Sequence, residues 1–173
     1  PPEIFYGREA AVQELQRREG SCLVYGGRQM GKSALLRQAR RQAHNPRRRQ
    51  YAWVEDIKNL GGSSSEPPEK LWSRLWNLLS AEGLVTGSNP GDDRIVETVE
   101  NMLRQKQDLQ MIVMFDEADD FLNRDAMGGF RVVTTLRRLM TDSERRFKVI
   151  FAGLKHVQRF QSLPNQPRSE EHT

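Results

Sequence analysis

The stretch Cys22-Leu23-Val24-Tyr25-Gly26-Gly27-Arg28-Gln29-Met30-Gly31-Lys32-Ser33-Ala34 decides how this chain is read. Its first four residues are apolar and bounded by glycine, as a short buried strand would be. From Gly26 the sequence spells G-x-x-x-x-G-K-S, and Leu35-Leu36-Arg37-Gln38-Ala39-Arg40 continue it with helix formers. Strand, glycine turn and helix in that order form a cradle for phosphate. The glycines let successive backbone N–H groups face one anion, and the helix N-terminus adds its partial positive charge. In such a cradle Gly26, Gly27, Arg28, Gln29, Met30, Gly31, Lys32, Ser33 and Ala34 wrap a nucleotide's phosphates. Lys32 would reach the β- and γ-phosphates, and the Ser33 hydroxyl would ligate Mg²⁺.

Working outward, the pattern alternates strands with helices. The spacing of Leu35, Leu36, Ala39 and Ala43 predicts a helix over 32–43, stopped by Asn45-Pro46. Tyr51-Ala52-Trp53-Val54 reads as a second strand. Gly61-Gly62-Ser63-Ser64-Ser65-Glu66-Pro67-Pro68 reads as a loop. Leu71, Trp72, Leu75, Trp76 and Leu79 share one helical face, and on that spacing the two tryptophans are core anchors rather than a stacking platform. Ile95, Val99, Met102 and Leu103 mark the next helix. The run Met111-Ile112-Val113-Met114-Phe115 suits a strand buried on both faces of a parallel sheet. Val132, Val133, Leu136, Leu139 and Met140 then predict a helix, and residues 147–152 a fourth strand stopped by Gly153. A short helix over 155–161 and a loose tail follow. The expected organisation is a core over 1–162 and a flexible tail over 163–173.

This alternation predicts an α/β fold in three layers, with a mainly parallel sheet and right-handed crossovers. Ligands of such sheets bind beyond the carboxyl ends of the strands. Gly26, Asp116 and Gly153 all stand at such ends.

The apolar run over 111–115 ends in Asp116-Glu117, the second nucleotide signature. An aspartate at a strand tip beside a phosphate loop suits Mg²⁺, and the adjacent glutamate suits the orientation and deprotonation of an attacking water. Asp119 and Asp120 read as capping or solvated residues. Asp116-Glu117-Ala118-Asp119 also spells the box of the DEAD helicases, but the phosphate loop differs from theirs and their Ser-Ala-Thr segment is missing.

Phe5-Tyr6-Gly7-Arg8-Glu9 ahead of the Walker A loop, then Phe115-Asp116-Glu117-Ala118, then Phe151-Ala152-Gly153-Leu154, is similar to the signal-transduction ATPases with numerous domains. These are relatives of the AAA+ and origin-recognition ATPases, and the resemblance covers residues 4–161. It implies ATP with Mg²⁺ as cofactors, Lys32 and Glu117 as catalytic groups, and Ser33 and Asp116 as metal ligands. It implies Arg8 as a further nucleotide contact. The family's polar sensor after the fourth strand is missing from Ala152-Gly153-Leu154-Lys155-His156, and Lys155 or His156 is the candidate replacement. The resemblance also leads one to expect a fifth strand and a helical lid, which the chain stops short of. Arg159 is a weak candidate for a finger toward a neighbouring subunit.

Composition fits this reading without selecting it. Net charge is +4, with 36% hydrophobic and 29% charged residues, and no apolar run nears the roughly 18 residues of a membrane span. A single cysteine, Cys22, excludes an internal disulfide and fits a reducing cytoplasm. Arg37, Arg40, Arg41, Arg47, Arg48 and Arg49 form the densest basic cluster, a solvated face or a contact for nucleic-acid phosphates. The chain begins at Pro1-Pro2 without methionine, so a fragment of a longer protein is expected, with further domains and an oligomer among its partners.

The expected function is the ATP-hydrolysing core of a multidomain regulatory ATPase that works as a nucleotide switch. Two alternatives stay open: a DNA-associated loading or remodelling ATPase, and a module that holds nucleotide without turnover.

Overall fold

The computed structural model describes residues 22–25, 29–62 and 66–153, and for residues 22–25, 29 and 30 the backbone alone. The elements, in chain order, are β1 (Cys22–Tyr25), α1 (Gln29–Ala43), β2 (Gln50–Asp56), α2 (Leu71–Ala81), α3 (Asp92–Gln105), β3 (Gln110–Asp116), α4 (Asp119–Met127), α5 (Arg131–Asp142) and β4 (Phe147–Gly153). Short 3-10 turns at Pro46–Arg48 and Pro68–Lys70 lead into β2 and α2.

The strands form one sheet in the order β1-β4-β3-β2, and every pairing is parallel. β4, last in sequence, lies between β1 and β3. The tip of the first strand is thereby separated from the Asp116 tip by one strand width, about 4.8 Å on either side. The register sets Asp56 across from Asp116 and Tyr25 across from Gly153, so the carboxyl ends of all four strands face the same crevice.

Pleating sorts the strand residues onto two faces. Ala52, Met114, Ile150 and Ala152 meet Leu35, Leu36 and Ala39 of α1. Trp53, Val113, Phe115, Val149 and Phe151 face the other way, into the larger core beneath α2 to α5. The helical spacings translate directly into that core. Leu71, Trp72, Leu75, Trp76 and Leu79 of α2 are buried, as are Ile95, Val99, Met102 and Leu103 of α3. Each such side chain contributes about 1.5–3 kcal/mol through its removal from water. The fold is therefore the three-layer α/β arrangement, with helices on both faces of a parallel sheet.

Two local features depart from the expected pattern. α1 begins at Gln29, so Lys32 sits in its first turn and not at its start. The first four N–H groups of a helix have no intrahelical acceptor, and here these belong to residues of the phosphate-loop motif. α4 was not legible as a helix. Asp119 and Asp120 occupy its first turn, where carboxylates favour the positive end of the dipole, and its N-cap position is Ala118. The two aspartates thus belong to the helix and do not cap it.

The opposite end of the sheet is held by Arg146, in the turn between α5 and β4. Its Nη2 donates to the Leu103 carbonyl at 2.8 Å, and its Nη1 donates to the carbonyls of Lys106 at 3.1 Å and Leu109 at 3.3 Å. One guanidinium satisfies the open end of α3 and braces the start of β3.

Candidate functional site

α1, packed across the sheet by Leu36 and Ala39, aims Lys32 at the tip of β3. The Lys32 side chain is fully enclosed, and its Nζ stands 2.8 Å from Asp116 Oδ1 and 3.3 Å from Glu117 Oε2. The neighbouring Ser33 hydroxyl donates to Asp116 Oδ2 at 3.2 Å. Four residues predicted from two distant motifs, Lys32, Ser33, Asp116 and Glu117, therefore share one cluster.

Burial of the Lys32 ammonium pulls its pKa down. The hydrogen bond and charge of Asp116, and after them those of Glu117, outweigh that pull and hold it above the ordinary 10.5. Lys32 is therefore a fixed cation, saturated by two carboxylates.

Consecutive residues of a strand point to opposite faces, yet Asp116 and Glu117 both touch Lys32. The backbone explains this. β3 ends at Asp116, and Glu117 adopts φ 57°, the left-handed conformation that costs a non-glycine residue about 1–2 kcal/mol. The reversal swings the Glu117 carboxylate back toward the α1 side. The bent conformation is held from both ends. The Glu117 N–H donates to Asp116 Oδ1 at 2.8 Å, and the next N–H, of Ala118, donates to the Ala152 carbonyl of β4 at 2.9 Å.

Asp119 completes this arrangement and was not legible from sequence. Its carboxylate lies directly over Gly153, the last residue of β4. A Cβ on Gly153 would stand 2.7 Å from Asp119 Oδ1 and 2.8 Å from Oδ2, closer than real carbon contacts allow. A side chain at Gly153 is therefore excluded by the Asp119 carboxylate as it stands. On the far side, Gly61 at φ 87° approaches the Asp120 carbonyl so closely that a Cβ there would sit 2.6 Å from it. α4 is wedged between the loop after β2 and the tip of β4.

The β2 tip adds further charge beside the crevice. Arg74 of α2 donates to Glu55 Oε2 at 3.1 Å and to the Asp56 carbonyl at 2.9 Å, which fixes the strand adjoining Asp116. Asp125, at the other end of α4, was also not foreseen. It accepts the N–H groups of Val132 at 3.2 Å and Val133 at 2.9 Å and so closes the start of α5. Burial raises its carboxyl above the usual range, against the lowering effect of those two N–H donors.

Arg8, Gly26, Gly27 and Arg28 lie outside the described residues, as do Lys155, His156 and Arg159. Gln29, Met30, Gly31 and Ala34 lie in the first two turns of α1. Among the described residues no helix is long and apolar enough to cross a membrane.

Comparison with known proteins agrees with this geometry. The family profile described as AAA domain matches residues 15–160. No curated protein sequence matches. Among solved structures, a Walker-type ATPase of Pyrococcus abyssi superposes with a TM-score of 0.54 at 18% identity, over 88% of this chain and 47% of its own. Cdc6p from Pyrobaculum aerophilum superposes with a TM-score of 0.52 at 15% identity, over 95% of this chain and 43% of its own. At these identities the likeness is one of fold, and the chain spans under half the length of either neighbour. Profile match, sheet order and the meeting of the two motifs lead to one conclusion: the chain belongs to the AAA domain family, with the fold of a P-loop ATPase.

Proposed function

We propose that this chain is the ATP-binding and ATP-hydrolysing core of a multidomain regulatory ATPase. The observation that carries the proposal is the convergence of Lys32, Ser33, Asp116 and Glu117 at the carboxyl ends of β1, β4 and β3. A lysine that serves only an internal ion pair needs one carboxylate. Here it meets two, one of them reached through a left-handed residue, next to a hydroxyl at hydrogen-bond distance from the same aspartate.

The donor set fits magnesium. Ser33 Oγ and the Asp116 carboxylate are hard oxygen donors 3.2 Å apart, the small protein contribution that Mg²⁺ takes when phosphates and water supply the rest. When bound, the ion would neutralise charge on the β- and γ-phosphates. Lys32 would exchange its carboxylate partners for phosphate oxygens and hold the γ-phosphoryl group in line. Glu117, relieved of Lys32, would orient a water and take its proton as the water oxygen bonds to the γ-phosphorus. The bond to the bridging oxygen breaks, and ADP and phosphate leave. Such an exchange of partner by Lys32 would be the kind of two-state contact that a nucleotide switch uses.

The test is single-turnover and steady-state phosphate release with Mg²⁺-ATP, beside a direct binding assay, for wild type, Lys32→Ala and Glu117→Gln. Glu117→Gln should bind nucleotide as wild type does while turnover falls about 10²–10⁴-fold, the usual contribution of a positioned base. Turnover unchanged in Glu117→Gln would reduce the chain to a nucleotide-holding module. Affinity unchanged in Lys32→Ala would remove the site altogether.

A further inference from the structure

The second half of α1 and the turn after it carry arginines that the crevice does not use. Arg37, Arg41, Arg47, Arg48 and Arg49 are exposed and Arg40 is partly so. Some arginines elsewhere are matched with carboxylates, Arg74 with Glu55, Arg131 with Glu69, and Arg138 with Glu100 and Asp142, and the exposed ones that are not, Arg94, Arg104 and Arg124, stand apart in sequence. In this cluster Arg49 alone has such a match, with Asp108 at 3.3 Å. Among the described residues Arg37, Arg40, Arg41, Arg47 and Arg48 make no ion pair. The segment itself supplies no counter-charge, since the sequence has no aspartate or glutamate between Glu19 and Glu55. Like charges packed this densely repel one another, so the arrangement favours a polyanion laid across it.

Topology places the cluster away from the nucleotide crevice. α1 starts at the carboxyl ends of the strands and runs antiparallel to them, so its last turn, the 3-10 turn Pro46–Arg48 and the start of β2 lie at the other end of the sheet. At 1.5 Å per residue, Ala43 is about 16 Å along the axis from Lys32. A ligand held here leaves the crevice open.

The chemistry of the patch selects the partner. A membrane-surface helix needs large apolar side chains beside its cations, and the apolar residues of this segment, Ala39 and Ala43, turn to the core. Unpaired bases need exposed aromatic rings on which to stack. The one ring in the segment, His44, is engaged edge-on with Tyr51, and its Nδ1 accepts the Ala52 N–H at 3.1 Å. What remains is a set of guanidinium forks that suit phosphate oxygens.

We propose that this end of the molecule docks on the sugar-phosphate backbone of double-stranded DNA, without sequence preference and independently of the nucleotide site. Five unpaired arginines engaging five phosphates would give log K against log salt a slope of about −4.5.

Fluorescence anisotropy with a labelled duplex of mixed sequence, titrated from low to physiological salt, tests this. Wild type should bind with that slope and with affinities in the micromolar range. Arg47→Gln with Arg48→Gln should weaken binding by about tenfold or more at low salt and flatten the slope by about 2. Arg94→Gln with Arg124→Gln removes the same charge elsewhere and should leave binding near wild type. Lys32→Ala should bind DNA as wild type does, whatever it does to ATP, so failure of the nucleotide reading and of this one are separable. Circular dichroism of each variant checks that it is folded. No binding at low salt would overturn the proposal, as would equal loss in both paired variants. Tighter binding to duplex RNA of the same sequence, or to anionic phosphatidylserine vesicles, would overturn the assignment to DNA.

Discussion

Lys32 Nζ lies 2.8 Å from Asp116 Oδ1, and the lysine side chain has no exposure to water. The lysine is paired with two carboxylates of the protein, Asp116 and Glu117. Loss of a charge-assisted hydrogen bond costs about 1.5–3 kcal/mol, so Lys32→Ala should weaken Mg²⁺-ATP binding by about 10- to 100-fold. Equilibrium binding of a fluorescent ATP analogue measures this directly.

The same contact has a signature at alkaline pH. Because the folded value of Lys32 is raised above 10.5, its contribution to stability is complete below 10.5 and is lost as pH climbs through the raised value. Urea midpoints of wild type should fall on that alkaline limb more steeply than those of Lys32→Met. Parallel curves would show that the ion pair adds nothing to folding.

Ser33 reaches Asp116 through its hydroxyl alone, so Ser33→Ala isolates the metal question. The magnesium concentration for half-maximal turnover should rise about tenfold, as expected for a lost interaction of about 1.4 kcal/mol. Turnover at saturating magnesium should recover toward wild type.

Gly153→Ala introduces a methyl group 2.7 Å from Asp119 Oδ1. The Asp119 carboxylate must swing aside. Any part of that displacement passed along the chain to Glu117 lowers turnover, by up to about tenfold, since misplacing a catalytic group by about 1 Å can cost about 10²-fold, while ATP affinity stays near wild type. Replacing Asp119 by glycine in the same chain restores the space. Partial recovery of turnover in that double variant would separate steric displacement from general damage.

Asp125 carries the start of α5 on one carboxylate. Asp125→Ala leaves two buried N–H groups without an acceptor and should cost about 1–3 kcal/mol. The pH dependence has the sign of a raised acid. The folded state keeps this proton more tightly than the unfolded chain, whose value is near 3.8, so stability from this group falls as pH rises from there through the raised value. Asp125→Asn removes that titration. Its urea midpoint should gain on wild type between acid and neutral pH.

Much of this architecture is written in local patterns. β1 falls on the apolar run that predicts it, and the buried faces of α2 and α3 fall where periodicity puts them, because a helical repeat records directly which side meets a core. α4 escaped because its nine residues bury only Phe121, Leu122 and Asp125, too few positions for a helical period to register. The meeting of Lys32 with Asp116 was legible from motif and strand-tip logic. The contact of Asp119 with Gly153 was not, since nothing near either residue encodes the other. The same holds for Arg137, buried in α5 with its guanidinium lowered to about 10 by burial and by the charge of Arg145. Such pairings belong to the packed chain and have no one-dimensional trace.

The triple contact of Arg146 has a mechanical consequence. By tying the end of α3 and the lead into β3 to the turn that launches β4, it joins at their base the two strands whose tips hold Asp116 and Gly153. The two strands are thereby braced together at their base, while α1, with Lys32 in its leading turn, meets them at their tips. The same helix joins Lys32 in its first turn to Arg40 and Arg41 in its last, so a displacement of one end is carried rigidly to the other.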